Sequence, residues 1–182
     1  MNKAAQQLSK KDLRQNKHHR DEFHKVPRKP IYIVLDNLEC AHNIGTILRM
    51  ADAVLAEKVF LCGTTITPPS KKMRKGSRGA EKWVPWEYAN NTAHVLMMLR
   101  KQGINIVALE LSDQSIPYHQ LNCSSPICFV VGNESHGVSS EALALSDRVA
   151  HLPMLGMMNS LNVATATSVV LFHCLNTRNH SA

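Results

Sequence analysis

Several absences narrow what this chain of 182 residues does. No apolar run reaches the roughly 18 residues that a membrane-spanning helix needs, so an integral membrane protein is not expected. The first 22 residues lack the apolar core of a secretory signal, and we expect no export. Neither GxGxxG nor GxxxxGK(S/T) occurs in the sequence. A nucleotide-dependent dehydrogenase or kinase would therefore lack its phosphate-binding loop.

Cysteine is sparse, and its spacing suggests no pairing. The five cysteines, at positions 40, 62, 123, 128 and 174, form an odd set without a CxxC pair. Cys128 and Cys174 lie inside apolar runs, where small buried thiols are common. We predict neither a disulfide framework nor a zinc or other metal site. The natural interpretation is a reducing, cytoplasmic location.

Positive charge is concentrated in two segments, although the whole chain carries a formal net charge of only +7. Residues 1–30 hold nine Lys or Arg against three acids, and residues 71–83 hold six against Glu81 alone. Two separate basic segments indicate a polyanionic partner, most often nucleic acid. The alternative is a solubilising tail and a solvated loop; the second cluster favours nucleic acid. We expect residues 1–29 to form a flexible basic arm and residues 30–182 a single domain.

Apolar runs and helical patterns alternate along that domain. Strands are predicted at 31–36, 58–62, 104–109, 127–131 and 148–153, and helices from Asn43 and at 92–102, 139–146 and 160–176. A long Gly-, Pro- and Lys-rich loop is predicted from 63 to about 91. Strands that are apolar on both faces and alternate with helices indicate an α/β fold with a parallel sheet covered on each side.

Ligands of such sheets bind outside the carboxyl ends of the strands. After the first strand, Asn43 opens a helix, Gly45 permits close backbone approach, and Arg49 follows one turn later. Taken alone, Asn43 is adequately explained as a helix cap and Arg49 as a surface side chain. After the fourth strand, VVGNESHGVS resembles a phosphate-gripping turn, but Glu134 in its middle would repel a pyrophosphate. That turn suits a ligand without phosphate.

Two further segments carry polar chemistry. In HLPMLGMMNSLNVATATSVV, Ser160 at a helix start is normally a cap, whereas Asn162 has poor helix propensity and suits a hydrogen-bonding task. In SRGAEKWVPWE, basic residues beside Trp83 and Trp86 suit phosphate contact and base stacking. An equally good interpretation is that the two tryptophans pin a long loop to the body.

Together, Asn43-x-Gly45-xxx-Arg49, Gly132-x-Glu134-xx-Gly137 and LPMLGMMNSLN resemble, in order and spacing, the three motifs of the SpoU (TrmH-like) RNA methyltransferases of the SPOUT superfamily. The resemblance covers residues 30–176. It implies a parallel-sheet SPOUT fold with a C-terminal deep trefoil knot, which general topology rules alone would exclude. It also implies a homodimer and transfer of a methyl group from S-adenosylmethionine, without a metal, to a ribose 2′-hydroxyl in RNA.

The resemblance assigns roles to individual positions. Catalysis or its immediate support is implied for Asn43, Arg49, Glu134, Ser160 and Asn162. Donor contacts, largely through backbone groups, are implied for Leu109, Gly132, Leu152 and Leu161. Arg49 is left with two possible roles, as a base or, beside an RNA phosphate, as an electrostatic stabiliser of the developing alkoxide.

RNA contact is expected from the cations of the second basic segment, namely Lys71, Lys72, Arg74, Lys75, Arg78 and Lys82. The substrate is expected to be tRNA, including a guanosine, with ribosomal RNA as the other possibility. The competing hypothesis is a catalytically silent RNA-binding protein on the same fold. Retention of Arg49, Glu134, Ser160 and Asn162 argues against it.

Overall fold

Seven strands lie side by side in one sheet in which every neighbouring pair is parallel. The computed structural model describes residues 5–15 and 17–179. The strands, in chain order, are β1 Lys29–Asp36, β2 Ala56–Cys62, β3 Trp86–Ala89, β4 Asn105–Leu109, β5 Ile116–Pro117, β6 Ile127–Gly132 and β7 Arg148–His151. Their order across the sheet is β3-β2-β1-β6-β4-β7-β5. The predicted parallel α/β sheet is confirmed.

Helices cover both faces of the sheet. They are α1 Asp12–Gln15, α2 Ala41–Ala53, α3 Lys71–Ser77, α4 Thr92–Lys101, α5 Ser140–Leu145 and α6 Val163–Asn179. Short 3-10 turns occupy Arg20–Lys25, Ala80–Lys82 and Tyr118–Gln120. One apolar core lies between the sheet and α2, α3 and α6, and a second lies between the sheet and α4 and α5. Adjacent strand residues such as Ile33 and Val34 enter opposite cores, which is why the strands are apolar on both faces.

The segment expected to be a loop from 63 to 91 contains a helix and a strand, so that prediction was wrong. The Ser70 hydroxyl caps α3 by accepting a hydrogen bond from the Met73 N–H at 3.3 Å, and Met73 is buried. Helices α2 and α3 cross at two glycines, where a Cβ on Gly45 would overlap the Met73 carbonyl oxygen and one on Gly76 would crowd the His42 carbonyl. The helix was missed because only one side of α3 is buried and most of its other residues are basic.

The tryptophans of this segment are mainly structural. Trp86 lies in β3, packs against the core and donates from Nε1 to the Glu81 carbonyl at 3.2 Å. Trp83 packs edge-on against Phe23 of the N-terminal arm, with ring centroids 5.9 Å apart. Arg28 donates to the Trp83 carbonyl at 2.6 Å. The flexibility expected of residues 1–29 stays a prediction, and residues 1–4, 16 and 180–182 of the expected arm and domain lie outside the described residues.

Cys123 and Cys174 form a disulfide between the loop before β6 and helix α6, with their Cα atoms 5.2 Å apart. The prediction that the cysteines do not pair was therefore wrong for Cys123 and Cys174, because 51 positions separate the two residues and only tertiary packing brings them together. Cys40 is free and exposed, whereas Cys62 and Cys128 are free and buried. Among the described residues, no helix is long and apolar enough to cross a bilayer, and no cluster of three potential metal ligands occurs.

Candidate active site

A cleft of about 780 Å³ opens at the carboxyl ends of β4, β6 and β7. Its walls are the segments 109–111, 131–138 and 150–152 together with the polypeptide around the start of α6. Seven of the nine residues predicted for catalysis or donor contact line it: Leu109, Gly132, Glu134, Leu152, Ser160, Leu161 and Asn162. The volume lies within the range of about 300–1,000 Å³ that is usual for small-molecule sites. Asn43 and Arg49 are not part of the wall.

The turn after β6 is closed on itself. The Asn133 side-chain oxygen accepts from the N–H groups of Ser135 and His136 at 2.9 and 3.2 Å, and its backbone oxygen accepts from Gly137 N–H at 2.9 Å. The next two amides are also engaged: Val138 N–H donates to Glu110 and Ser139 N–H to Asp36, both at 2.9 Å. A phosphate cradle needs free amides that point at the anion. The amides of residues 135–139 are therefore not available to a phosphate.

Gly132 is required by a close backbone contact. A Cβ at this position would overlap backbone atoms of Gly137 and Val138, across the neck of the same turn. Gly137 has a φ of +69°, which an L side chain rarely adopts. The two glycines thus form one wall of the cleft.

Three of the predicted catalytic side chains, from three distant segments, are joined in one hydrogen-bonded relay. The Asn43 amide donates to Glu134 Oε1 at 2.9 Å, and the Asn162 amide donates to Asn43 Oδ1 at 3.0 Å. Glu134 also accepts from the N–H groups of Glu39 and Cys40, both at 3.2 Å. A carboxylate at the N-terminus of α2 is favoured by the unpaired amides and the dipole of that helix.

Asn43 and Ser160 are therefore not helix caps. Helix α2 begins at Ala41, and Asn43 is buried in its first turn, where Glu134 supplies the capping oxygens from another part of the chain. Helix α6 begins at Val163 rather than at Ser160. Asn162 caps it, because its side-chain oxygen accepts from the N–H groups of Ala164 and Thr165 at 3.0 and 3.3 Å. Ser160 stays in the loop that lines the cleft.

Two opposing effects act on the pKa of Glu134. Partial burial raises it, but hydrogen bonds from Asn43 and from backbone N–H groups, including those of Glu39 and Cys40, outweigh burial and hold the pKa below its ordinary value. The carboxylate form is therefore favoured by the folded protein.

A carboxylate whose pKa is lowered by folding stabilises the protein above its ordinary pKa, and that contribution disappears as pH falls through the folded-state pKa. We expect wild-type protein to be more stable than Glu134→Gln near pH 7, and the difference to shrink below about pH 4.5, the ordinary value. Urea unfolding of both proteins from pH 7 to pH 3.5 measures it. A difference that does not change with pH would contradict the assigned role of the hydrogen bonds.

Arg49 lies nearly two turns beyond Asn43 on α2, with an exposed side chain outside the cleft wall. The structure thus brings four of the five predicted catalytic residues to one place and leaves Arg49 at a distance along the helix. The predicted RNA-contacting cations lie on α3 and just after it. Of these, Lys71, Arg74, Lys75 and Arg78 line a shallow concavity, whereas Lys72 and Lys82 are exposed elsewhere.

Sequence reasoning missed the residues that hold the turn in place. Asp36, which is 1% exposed, accepts from the Thr92 hydroxyl at 2.6 Å and from Ser139 N–H at 2.9 Å. Asn133 donates to the Asn37 carbonyl at 2.8 Å and so ties the turn to the end of β1. Asp36 could have been predicted from the sequence as a functional or structural residue, because it is a charged residue that ends an otherwise apolar strand.

Comparison with known proteins agrees with this arrangement. The profile of the SpoU rRNA methylase family matches residues 30–172. The tRNA (guanosine(18)-2′-O)-methyltransferase of Escherichia coli K12 is 30% identical over 157 residues, which are 85% of this chain and 67% of that enzyme.

Two solved structures are similar to this fold. The Aquifex aeolicus TrmH/SpoU tRNA modifying enzyme superposes with a TM-score of 0.78 at 31% identity, covering 85% of this chain and 78% of that one. The AdoMet-bound rRNA methyltransferase of Sinorhizobium meliloti gives a TM-score of 0.77 at 30% identity, covering 88% and 60% of the two chains.

Proposed function

This chain belongs to the SpoU rRNA methylase family, and we propose on that basis that it transfers a methyl group from S-adenosylmethionine to a ribose 2′-hydroxyl in RNA. The observation that carries the proposal is the Asn43–Glu134–Asn162 relay, which places residues from three motifs at one cleft. That cleft adjoins a turn in which the amides of residues 135–139 are already hydrogen-bonded. It therefore suits a donor that has no phosphate group.

The donor supplies an electrophilic methyl group on a sulfonium, and the protein supplies alignment and control of the hydroxyl proton. Leu109, Gly132, Leu152 and Leu161 line the cleft and would contact the donor largely through backbone groups. Asn43 and Glu134 hold Asn162 at the rim of the cleft, next to Ser160. These four polar residues would orient the reacting hydroxyl.

Arg49 would act from the RNA side of the site. The pKa of arginine exceeds about 12, so a free guanidinium is a poor base. Beside an RNA phosphate, Arg49 would polarise the hydroxyl and stabilise the developing alkoxide. Its exposed position on α2 supports contact with a macromolecule rather than with the donor.

We propose tRNA, and within it a guanosine, as the substrate. The relative from E. coli is named for that nucleotide, although the relative from S. meliloti is named for ribosomal RNA. The test is mass spectrometry of digested tRNA and rRNA from cells with and without this protein. Loss of one 2′-O-methylated nucleoside from the tRNA fraction is expected. Unchanged nucleosides in both fractions, together with RNA binding by the purified protein, would favour the catalytically silent RNA-binding alternative.

Donor binding is tested separately by calorimetric titration of the purified protein. S-Adenosylmethionine and S-adenosylhomocysteine are expected to bind, while ATP and NAD are not, because the amides of the turn are already engaged. Tight binding of ATP without a response to either sulfur ligand would overturn the proposal.

RNA would be held by the cations on and after α3 and by those of the N-terminal arm. We expect deletion of residues 1–26, which removes seven Lys or Arg, to weaken RNA affinity and flatten its salt dependence. Each phosphate contact contributes roughly 0.7–0.9 to the slope of log affinity against log salt concentration. The donor pocket and the modified nucleotide should stay the same, since no described residue of the arm lines the cleft.

A matched full-length variant separates charge from packing, because the deletion also removes Phe23 from Trp83. Its four substitutions are Lys10→Gln, Arg14→Gln, Lys17→Gln and Arg20→Gln. If all four cations neutralise phosphates, the slope falls by about 3. RNA affinities measured at several salt concentrations give the slopes. If the plots for the variant and for wild type superimpose, the arm acts only as a solubility tail.

We also propose that the protein is a homodimer that works in the cytoplasm. Leu155 and Met157 are 99% and 97% exposed in the loop before α6, and Phe172 is exposed on α6. Adjacent exposed apolar side chains mark association surfaces more often than free surface. Sedimentation velocity should give a dimer, and Leu155→Glu with Met157→Glu should give monomers. A monomeric wild-type protein would contradict the proposed dimer.

The trefoil knot of the family is proposed here as well. Support comes from the strand order, in which β6 lies between β1 and β4, and from the return of the chain after β7 to pack α6 against α2.

A further inference from the structure

Glu110 stands at the end of β4 with its carboxylate inside the cleft wall. One oxygen accepts from Val138 N–H at 2.9 Å, and the other accepts from Leu111 N–H at 3.0 Å. A Cβ added to Gly137 would overlap this carboxylate, so the group lies directly against the turn that follows β6. No motif pointed to this residue.

The carboxylate of Glu110 has unused acceptor capacity. A carboxylate offers about four acceptor positions, and the two hydrogen bonds leave about two open. The cleft wall contains one other carboxylate, that of Glu134. Glu134 already accepts from Asn43, Glu39 and Cys40 on the α2 side. Glu110 is thus the acidic group of the wall that can receive donors from a ligand.

The chemistry of the donor identifies the group that would meet this carboxylate. The methionine part ends in a carboxylate and an ammonium side by side, so its repulsion and its attraction for Glu110 largely offset each other. Adenine presents mainly acceptor nitrogens, whereas the ribose presents two adjacent hydroxyl donors. Carboxylates at strand ends bind ribose hydroxyls in dinucleotide sites by the same pairing.

We propose that Glu110 binds the ribose diol of S-adenosylmethionine while it braces the turn at Val138; this inference rests on the proposed function. Hydrogen bonds from the diol to this carboxylate would keep the adenosine end beside β4. The sulfonium is thereby directed towards Asn162 and Ser160, where the RNA hydroxyl would arrive. Glu110 sets the direction in which the donor lies in the cleft.

A double-mutant cycle tests the contact. Calorimetry measures the affinity of wild type and Glu110→Gln for S-adenosylhomocysteine and for its 2′-deoxy and 3′-deoxy ribose analogues. Glu110→Gln is expected to weaken S-adenosylhomocysteine binding about 10- to 100-fold, as is usual for hydrogen bonds to a charged group. At least one deoxy analogue should lose a similar factor in wild type and little in the variant. Glu141→Gln, an exposed acid on α5, is the matched control and should bind all ligands as wild type does.

The outcomes are distinguishable. If removing a ribose hydroxyl weakens binding by the same factor in wild type and in Glu110→Gln, Glu110 braces the turn without contacting the ribose. That result would overturn the inference. So would equal binding of all three ligands by wild type, a result that does not depend on whether Glu110→Gln folds. Wild-type protein that fails to bind S-adenosylhomocysteine would instead overturn the proposed function.

Discussion

Replacing Arg49 with alanine should lower the single-turnover rate of methyl transfer at least about 100-fold, the usual effect of removing a group that stabilises a developing oxyanion. Affinity for S-adenosylhomocysteine should stay within about twofold, because Arg49 is not part of the cleft wall. Single-turnover assays with labelled donor at saturating RNA measure the rate, and calorimetry measures the affinity.

The control for Arg49→Ala is Arg148→Ala. Arg148 is also exposed, but it begins β7 and so lies at the opposite edge of the sheet from the cleft. This variant should react at the wild-type rate. A folded Arg49→Ala protein with near-normal turnover would make Arg49 an ordinary surface residue. Loss of donor affinity would instead place its side chain at the donor.

Gly132→Ala should abolish donor binding, with S-adenosylhomocysteine affinity lowered more than about 100-fold. The new methyl group would overlap the backbone of Gly137 and Val138, so the turn would have to move away from β6. Overpacking against backbone costs about 1–3 kcal/mol of folding stability. The donor affinity of Gly132→Ala should fall by more than this loss of folding stability alone explains, because the turn itself is displaced. Calorimetry and urea unfolding measure the two effects.

Gly79→Ala provides the comparison for that variant. Gly79 has a φ of +98° and no atom within 4 Å of an added Cβ, so alanine there is strained without touching the cleft. It should lose roughly 1 kcal/mol of stability and keep its donor affinity. Normal binding by Gly132→Ala would mean that the turn after β6 does not form the donor site.

Local sequence patterns predicted five of the seven described strands and the position of the cleft, but they missed β3 and β5. Buried strands such as Ile31–Asp36 stand out because both faces are apolar, and the carboxyl ends of parallel strands meet at one edge. Patterns were insufficient where a partner lies far away in the chain. Helix α3 shows only one buried turn, around Met73, among exposed cations. Its existence depends on Gly45 and Gly76, which allow two helices to touch.

The same limit applies to capping. Ser160 precedes an apolar helical pattern and has the chemistry of a cap, yet Asn162 takes that place. Asn43 resembled a cap because it is polar and stands near the start of α2. In the structure the cap of α2 is Glu134, which is 91 residues away from Asn43. Local sequence propensity cannot predict a hydrogen bond between residues that are so far apart in the chain.

The closed turn after β6 also bears on how the cell would regulate this protein. ATP and other polyphosphates are abundant competitors for any site that presents free amides to an anion. In the turn after β6, the amides of residues 135–139 are held by Asn133, Glu110 and Asp36, so they are not available to an anion. The rate of RNA modification should accordingly not be lowered by direct competition from ATP. It should instead follow the ratio of methyl donor to its demethylated product, which links it to sulfur amino-acid metabolism.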